Sequence, residues 1–373
     1  MKKISLLIVL LLPIFLSAYD FDFYGSARIG MWYIQEDEDF TGGESRLIMS
    51  YNLYTNSRFG ANLAYDKLKA NVEFGFKWGD AYLRKIYGEY DFDKVKLLVG
   101  QDYTGFSDLA AQATSIYSGK DESLIAYGAY YDSRNPQIRL TFKNGPYISF
   151  MEPKRYSPCP DCSTDMVDAL LPRTNIGMKL NIDEVMVHAT FGINVAQYNK
   201  DIALWAEPNP DYDPADSTSS EFITKNTNEN LIAYALALTV KYEKGDLCLM
   251  GQFNYGQNIA DYGIVTSTGA NSGWDGEKDE VINNFSSGGF GQFGYKINDK
   301  MTFLGGVGFN ASKLDGMDDQ DTAMAVFGQI KYQLSSVMTL IPELGMIDDM
   351  EDGAGNDEGS QIYFGTKIQV DFP

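Results

Sequence analysis

All eight arginines of the 373-residue chain fall within its first 173 positions: Arg28, Arg46, Arg58, Arg84, Arg134, Arg139, Arg155 and Arg173. Of these, Arg28, Arg58, Arg84, Arg139 and Arg173 stand on the polar side of segments in which apolar and polar residues alternate. A guanidinium is ionised at any physiological pH, and its rigid fork pairs bidentately with carboxylate or phosphate. On successive strands these residues form a cationic ladder along one wall. Asp108, Asp121 and Glu122, in the stretch after the fifth strand, could supply the opposing charge. Across a narrow passage of low dielectric, such a transverse field favours small anionic or dipolar solutes, carboxylate-bearing ones included. The competing expectation is that the arginines pair with wall acids such as Glu73 and only brace the wall. Arg173 is expected too far around the wall, or too near a rim, to join the ladder.

Other reactive chemistry is sparse. His188 is the only histidine, and no G-x-S-x-G, H-E-x-x-H or P-loop pattern accompanies it, so no enzyme is expected. Cys159 and Cys162, in a C-P-D-C loop, fit a small disulfide, a redox pair or half a metal site. With no second pair nearby, a loop disulfide is the expectation and free thiols the alternative. Asp315, Asp318, Asp319 and Asp321 offer the oxygen ligands that Ca²⁺ or Mg²⁺ takes, without the full spacing of an EF-hand loop. A solvated acidic surface is the plainer reading of that run, and no other cofactor is expected. The formal charge of −21 disfavours nucleic acid as a partner by simple repulsion.

The elements that must carry these residues are clearest in residues 57–112. There Phe59, Ala61, Leu63 and Tyr65 alternate with Arg58, Gly60, Asn62 and Ala64, and Leu68, Ala70, Val72, Phe74, Phe76 and Trp78 alternate with polar or small residues. Period two means strands with one apolar and one polar face. Alternating segments recur to the C-terminus, and residues 45–65 read as one long strand with a bulge or bend near Asn56. Seven connections are tight turns, near Asp66, Asp91, Asn144, Asp183, Glu243, Asn298 and Ser335, and those between are mostly long. Asn144-Gly145 is a strong hairpin signal, since both residues tolerate positive φ. Residues 1–18, with Lys2 and Lys3 before an apolar run, match a secretory signal whose removal lowers the formal charge from −21 to −23. No second long apolar run exists, which excludes a helical membrane protein. The expected fold of residues 19–373 is all-β: a transmembrane antiparallel β-barrel of 16 strands, with short periplasmic turns and long external loops. The third of those loops, small-residue-rich over 104–118, is expected to fold into the lumen.

TNSRFGANLAY on the second strand, AYLRKIYGEY on the fourth, LLVGQDYTGFSD after it and RNPQIRLTFKNGPYISFMEP over the sixth and seventh resemble trimeric Gram-negative porins, most closely the DcaP-like group. The likeness covers the N-terminal half by motif and the rest by strand pattern. It implies a sixteen-stranded barrel, a homotrimer and an inward-folded third loop. It also implies a place in the bacterial outer membrane among its lipid and lipopolysaccharide, with passive diffusion of small hydrophilic solutes. A non-channel alternative stays open: an adhesin or structural barrel that binds through long external loops, residues 198–228 first among them.

Overall fold

The structure, a computed structural model, describes residues 20–77, 80–115, 121–156, 167–199, 207–208, 222–223, 228–275 and 280–372. The leader expected at 1–18, Trp78, and the Cys159/Cys162 pair lie outside the described residues.

Sixteen antiparallel strands close into one barrel. They are β1 (Asp20–Glu36), β2 (Arg46–Leu53 continued by Arg58–Tyr65), β3 (Leu68–Lys77), β4 (Asp80–Asp91), β5 (Val95–Tyr103), β6 (Arg134–Phe142), β7 (Pro146–Met151) and β8 (Arg173–Ile182). The circuit continues with β9 (Val185–Asn199), β10 (Asn228–Lys244), β11 (Leu247–Gln257), β12 (Asn284–Asn298), β13 (Met301–Leu314), β14 (Asp321–Gln333), β15 (Met338–Asp348) and β16 (Ser360–Phe372). Closure comes from β16 pairing along β1, from Gly25 opposite Phe372 to Glu36 opposite Gln361. A closed circuit leaves no strand edge unpaired, which is what a hydrocarbon environment requires. Turns at one end are tight, and Asp66, Asp183 and Gly145 take the positive φ they need.

The outward faces are apolar. Phe59, Ile86, Phe253, Leu344 and Phe364 all point away from the barrel and are exposed. Leaving each in water forfeits roughly 1.5–3 kcal/mol, so this surface belongs against lipid tails.

Two departures from even alternation shape the interior. Opposite Ala27 and Arg28, the second strand spends four residues, 54–57, because Ser26 pairs with Arg58 and Ile29 with Leu53. That irregularity, expected near Asn56, returns Tyr54 N–H to the Arg28 carbonyl at 2.9 Å and sets Ser57 Oγ to accept the Arg28 N–H at 3.0 Å. Between β3 and β4 the register slips at Glu73/Phe74, so both Arg84 and Lys85 turn inward beside Glu73. Nor is the lumen uniformly polar: Trp32, Ile34, Phe290, Phe327, Ile341 and Tyr363 form an apolar core with Ala110, Ala113, Leu124 and Tyr127 of the third loop. A loop packed against the wall turns inward positions into a protein interior, and those positions are apolar.

Candidate functional site

The third loop, described over residues 104–115 and 121–133, runs across the barrel, and its backbone groups need partners there. Inward side chains of the later strands supply them. Tyr130 N–H donates to Gln252 Oε1 at 2.8 Å, and Asn254 Nδ2 donates to Gly128 O at 2.6 Å. Ala111 N–H donates to Gln292 Oε1 at 2.6 Å, and Ala113 and Thr114 N–H donate to the two Glu343 oxygens at 2.7 and 2.9 Å. From the opposite side Tyr54 O–H donates to Ala113 O at 2.6 Å and receives Trp32 Nε1–H at 2.9 Å. The loop lies so close that a Cβ at Gly128, where φ is +106°, would come within 2.1 Å of the Gly289 carbonyl oxygen. Only glycine fits both constraints.

The two ends of the loop are pinned by acids, Asp132 buried and Asp108 half-buried. Near its exit, Asp132 and Arg173 meet at 2.7 Å with side-chain exposures of 2% and 1%, and Arg173 Nη1 also donates to Tyr262 O at 2.8 Å. Burial pushes the Asp132 carboxyl up to about 6, against the pull of Arg173. Arg173 is thus not a ladder member: it opens β8 at the long-loop end and braces the third loop. Near the entrance, Asp108 sits 2.6 Å from His188 Nδ1, whose Nε2 lies within 3.1 Å of Tyr147 O–H and 3.0 Å of Thr190 Oγ1. Asp108 therefore faces His188 on β9, not Arg58 or Arg84. The parity of His188 was legible in the sequence, but which wall its partner meets depends on the path of the loop. Glu122 is buried, with its N–H donating to Thr114 O at 3.0 Å, and it lines neither cavity beside the arginines.

A further segment, 258–272, comes inward and lies on the third loop. Val265 N–H donates to Tyr131 O at 3.1 Å, Ser267 Oγ donates to Ala126 O at 2.9 Å, and Tyr262 packs edge-on to Phe106 with ring centres 5.6 Å apart. Sequence alternation held no sign of it, since the segment is Gly- and Ser-rich like an ordinary surface loop.

What the two loops leave open lies against the arginine wall. A cavity of about 200 Å³ is bounded by Arg28, Arg58, Arg84 and Arg134 with Tyr82 and Tyr103 on one side, and by Asp121 of the loop on the other. A second, of about 380 Å³, is bounded by Arg28, Lys331 and Lys367, again with Asp121. Glu73 gathers three cations: Arg84 at 2.7 Å, Arg58 at 3.6 Å and Lys85 at 3.7 Å. Asp121 gathers two, Lys367 at 2.6 Å and Arg28 at 3.1 Å. Five cations thus share two carboxylates, while Arg134 stacks over the Tyr103 ring at 5.3 Å. Arg84 is wall-braced, as the competing expectation had it, and Arg58 less so, with its side chain 30% exposed. Arg139 pairs with Asp102 at 3.1 Å and lies outside both cavities. Lys85, Lys331 and Lys367 are the lumen cations the ladder reading missed. A signal for Lys85 existed: regular alternation would set it on the lipid face, at about 2–4 kcal/mol near the midplane.

At the rim, Asp321 accepts the Gly269 N–H. Among the described residues no three His, Cys, Asp or Glu side chains converge as cation ligands, those of Asp315, Asp318, Asp319 and Asp321 included. Successive carboxylates on a hairpin loop splay apart unless the backbone wraps an ion.

No protein-family model and no curated protein sequence matches the chain. Solved structures do match. The outer membrane channel DcaP of Acinetobacter baumannii superposes with a TM-score of 0.71 at 15% identity, over 95% of this chain and 98% of that one. Outer-membrane-expressed OmpT of Vibrio cholerae gives 0.58 at 15%, over 95% and 98%. An anion-selective porin from Comamonas acidovorans gives 0.54 at 11%, over 95% and 100%. The chain has the sixteen-stranded fold that these outer-membrane proteins share.

Proposed function

We propose that the protein is an outer-membrane porin, a passive diffusion channel for small hydrophilic solutes that prefers anionic or dipolar, carboxylate-bearing ones. The barrel fold and its apolar belt support the channel and its place in the bacterial outer membrane, with lipid and lipopolysaccharide around it. Residues 1–18 act as the export signal in this reading, and the assembled form is a homotrimer, as porins of this fold often are. No catalytic step is involved.

The observation that carries the preference is the charge imbalance at the passage: Arg28, Arg58, Arg84, Lys85 and Lys367 share only Glu73 and Asp121. Cations in excess of their counter-ions raise the local concentration of mobile anions. Planar-bilayer recordings test this. Purified protein should give stable single-channel steps with a reversal potential on the chloride side. The double variant Arg58→Ala, Arg84→Ala should shift that potential towards potassium by removing two of the five cations. An unchanged ion preference in the double variant would reject the arginine wall as its origin. Absence of any conductance would return the adhesin or structural-barrel alternative.

A further inference from the structure

Asp121 is the point at which the two cavities meet, since Arg28, Asp121 and Ser123 line both. Its carboxylate is held as a bound anion would be: Oδ1 receives Lys367 Nζ at 2.6 Å, and Oδ2 receives Arg28 Nη1 at 3.1 Å and Asn56 Nδ2 at 3.0 Å. Those three donors come from β16, β1 and the bulge of β2, so the barrel wall itself builds the cradle. The carboxylate comes from the loop. Its side chain keeps 16% exposure, whereas the anchoring Asp132 keeps 2%. Beside it Lys331 lines the larger cavity and has no ion-pair partner among the described residues.

We infer that Asp121 is a tethered counter-ion occupying an anion subsite built from Arg28, Lys367 and Asn56, and that a permeating carboxylate or phosphate anion exchanges with it. This rests on the anion-preferring reading and adds to it a named site and a named competitor. Arg28 and Lys367 are themselves buried, but both cavities open onto the Asp121 carboxylate, and an anion that replaces it leaves neither cation unpaired. A tethered group competes at an effective concentration on the order of millimolar, so free anions bind weakly and leave quickly, as conduction needs. Lys331 gives the incoming anion a first cation before Asp121 yields the other two.

The test is block of single-channel chloride current by inorganic phosphate, with full-length protein in planar bilayers. Wild type should be half-blocked at roughly millimolar phosphate or above. Asp121→Asn should lower that concentration by about tenfold, because the neutral amide no longer competes for two cations. Adding Lys331→Gln to that variant should raise it again several-fold. Asp102→Asn removes a lumen carboxylate of similar exposure, 15%, that lies outside both cavities, and should leave phosphate block at the wild-type value. Equal shifts in Asp121→Asn and Asp102→Asn would overturn the inference, because a general charge effect would then suffice. Should Asp121→Asn not assemble, Lys331→Gln alone decides: weaker block supports the subsite and unchanged block rejects it. A wild-type channel that prefers potassium would instead defeat the anion-preferring reading itself.

Discussion

Asp132 and Arg173 are a pair sealed from water in which the cost of burying the carboxylate exceeds what the guanidinium returns. The carboxyl titrates near 3.8 when unperturbed and near 6 in the fold. Between those values the native state holds a proton that the unfolded chain has lost. Stability therefore falls as pH rises from about 4 to about 6 and levels off above, by linkage. Asp132→Asn cannot titrate, so its unfolding temperature in detergent should lack that part of the slope and gain on wild type as pH rises. Parallel curves for the two proteins would refute the assignment. Arg173→Met leaves the carboxylate without its guanidinium and should cost about 3–5 kcal/mol at pH 7. Neither partner could be paired from sequence. Arg173 showed only its parity, and Asp132 belongs to a stretch whose path alternation does not encode.

The third loop takes its position from side chains on the later strands β8, β9 and β11 to β16. Glu343 holds most at one point, accepting Ala113 and Thr114 N–H together and receiving Tyr363 O–H at 3.1 Å. Such a hydrogen bond contributes about 0.5–1.5 kcal/mol net, and a buried donor left without its acceptor costs about 1–3 kcal/mol. Glu343→Ala should therefore loosen this section of the loop, read as larger and noisier single-channel conductance with the barrel still heat-resistant. Glu343→Gln keeps one acceptor oxygen and should fall between. A quiet, wild-type trace from Glu343→Ala would show that the apolar contacts of Ala113 and Leu124 hold the loop unaided. At this scale the sequence was informative about strands, because period two is local. The bulge at Asn56 was legible as a break in that period. The slip at Glu73/Phe74 left one trace, since Arg84 and Lys85 are adjacent cations and regular alternation would turn one of them to lipid. The inward course of 258–272 was hidden for a further reason: its partners, such as Ala126 and Tyr131, are more than a hundred residues away.

Over the whole molecule the signs of charge separate. The chain carries a formal −21, yet the passage gathers cations and the acids crowd the long-loop rim. There the Glu358 carboxyl is pushed up by burial and by repulsion from Asp321, Asp349 and Asp352. An ion approaching the barrel meets the acidic rim first and the arginine wall second, and the two fields oppose. Their balance depends on the Debye length, about 30 Å at 0.01 M salt and about 10 Å at 0.1 M. At the lower concentration the rim field reaches the constriction and enriches cations there. At the higher one it is screened, while the confined guanidinium groups act on ions at contact distance. Anion preference should therefore strengthen as ionic strength rises from 0.01 to 0.1 M, about tenfold in concentration. Reversal potentials at a fixed salt ratio, centred on each concentration, measure it. A channel governed by its cationic wall alone would lose preference with salt, and that opposite trend would show that the rim acids act only on solubility. Neutralising Asp349, Asp352 and Glu358 together should flatten the dependence and leave the high-salt preference where it was, because none of the three lines either cavity.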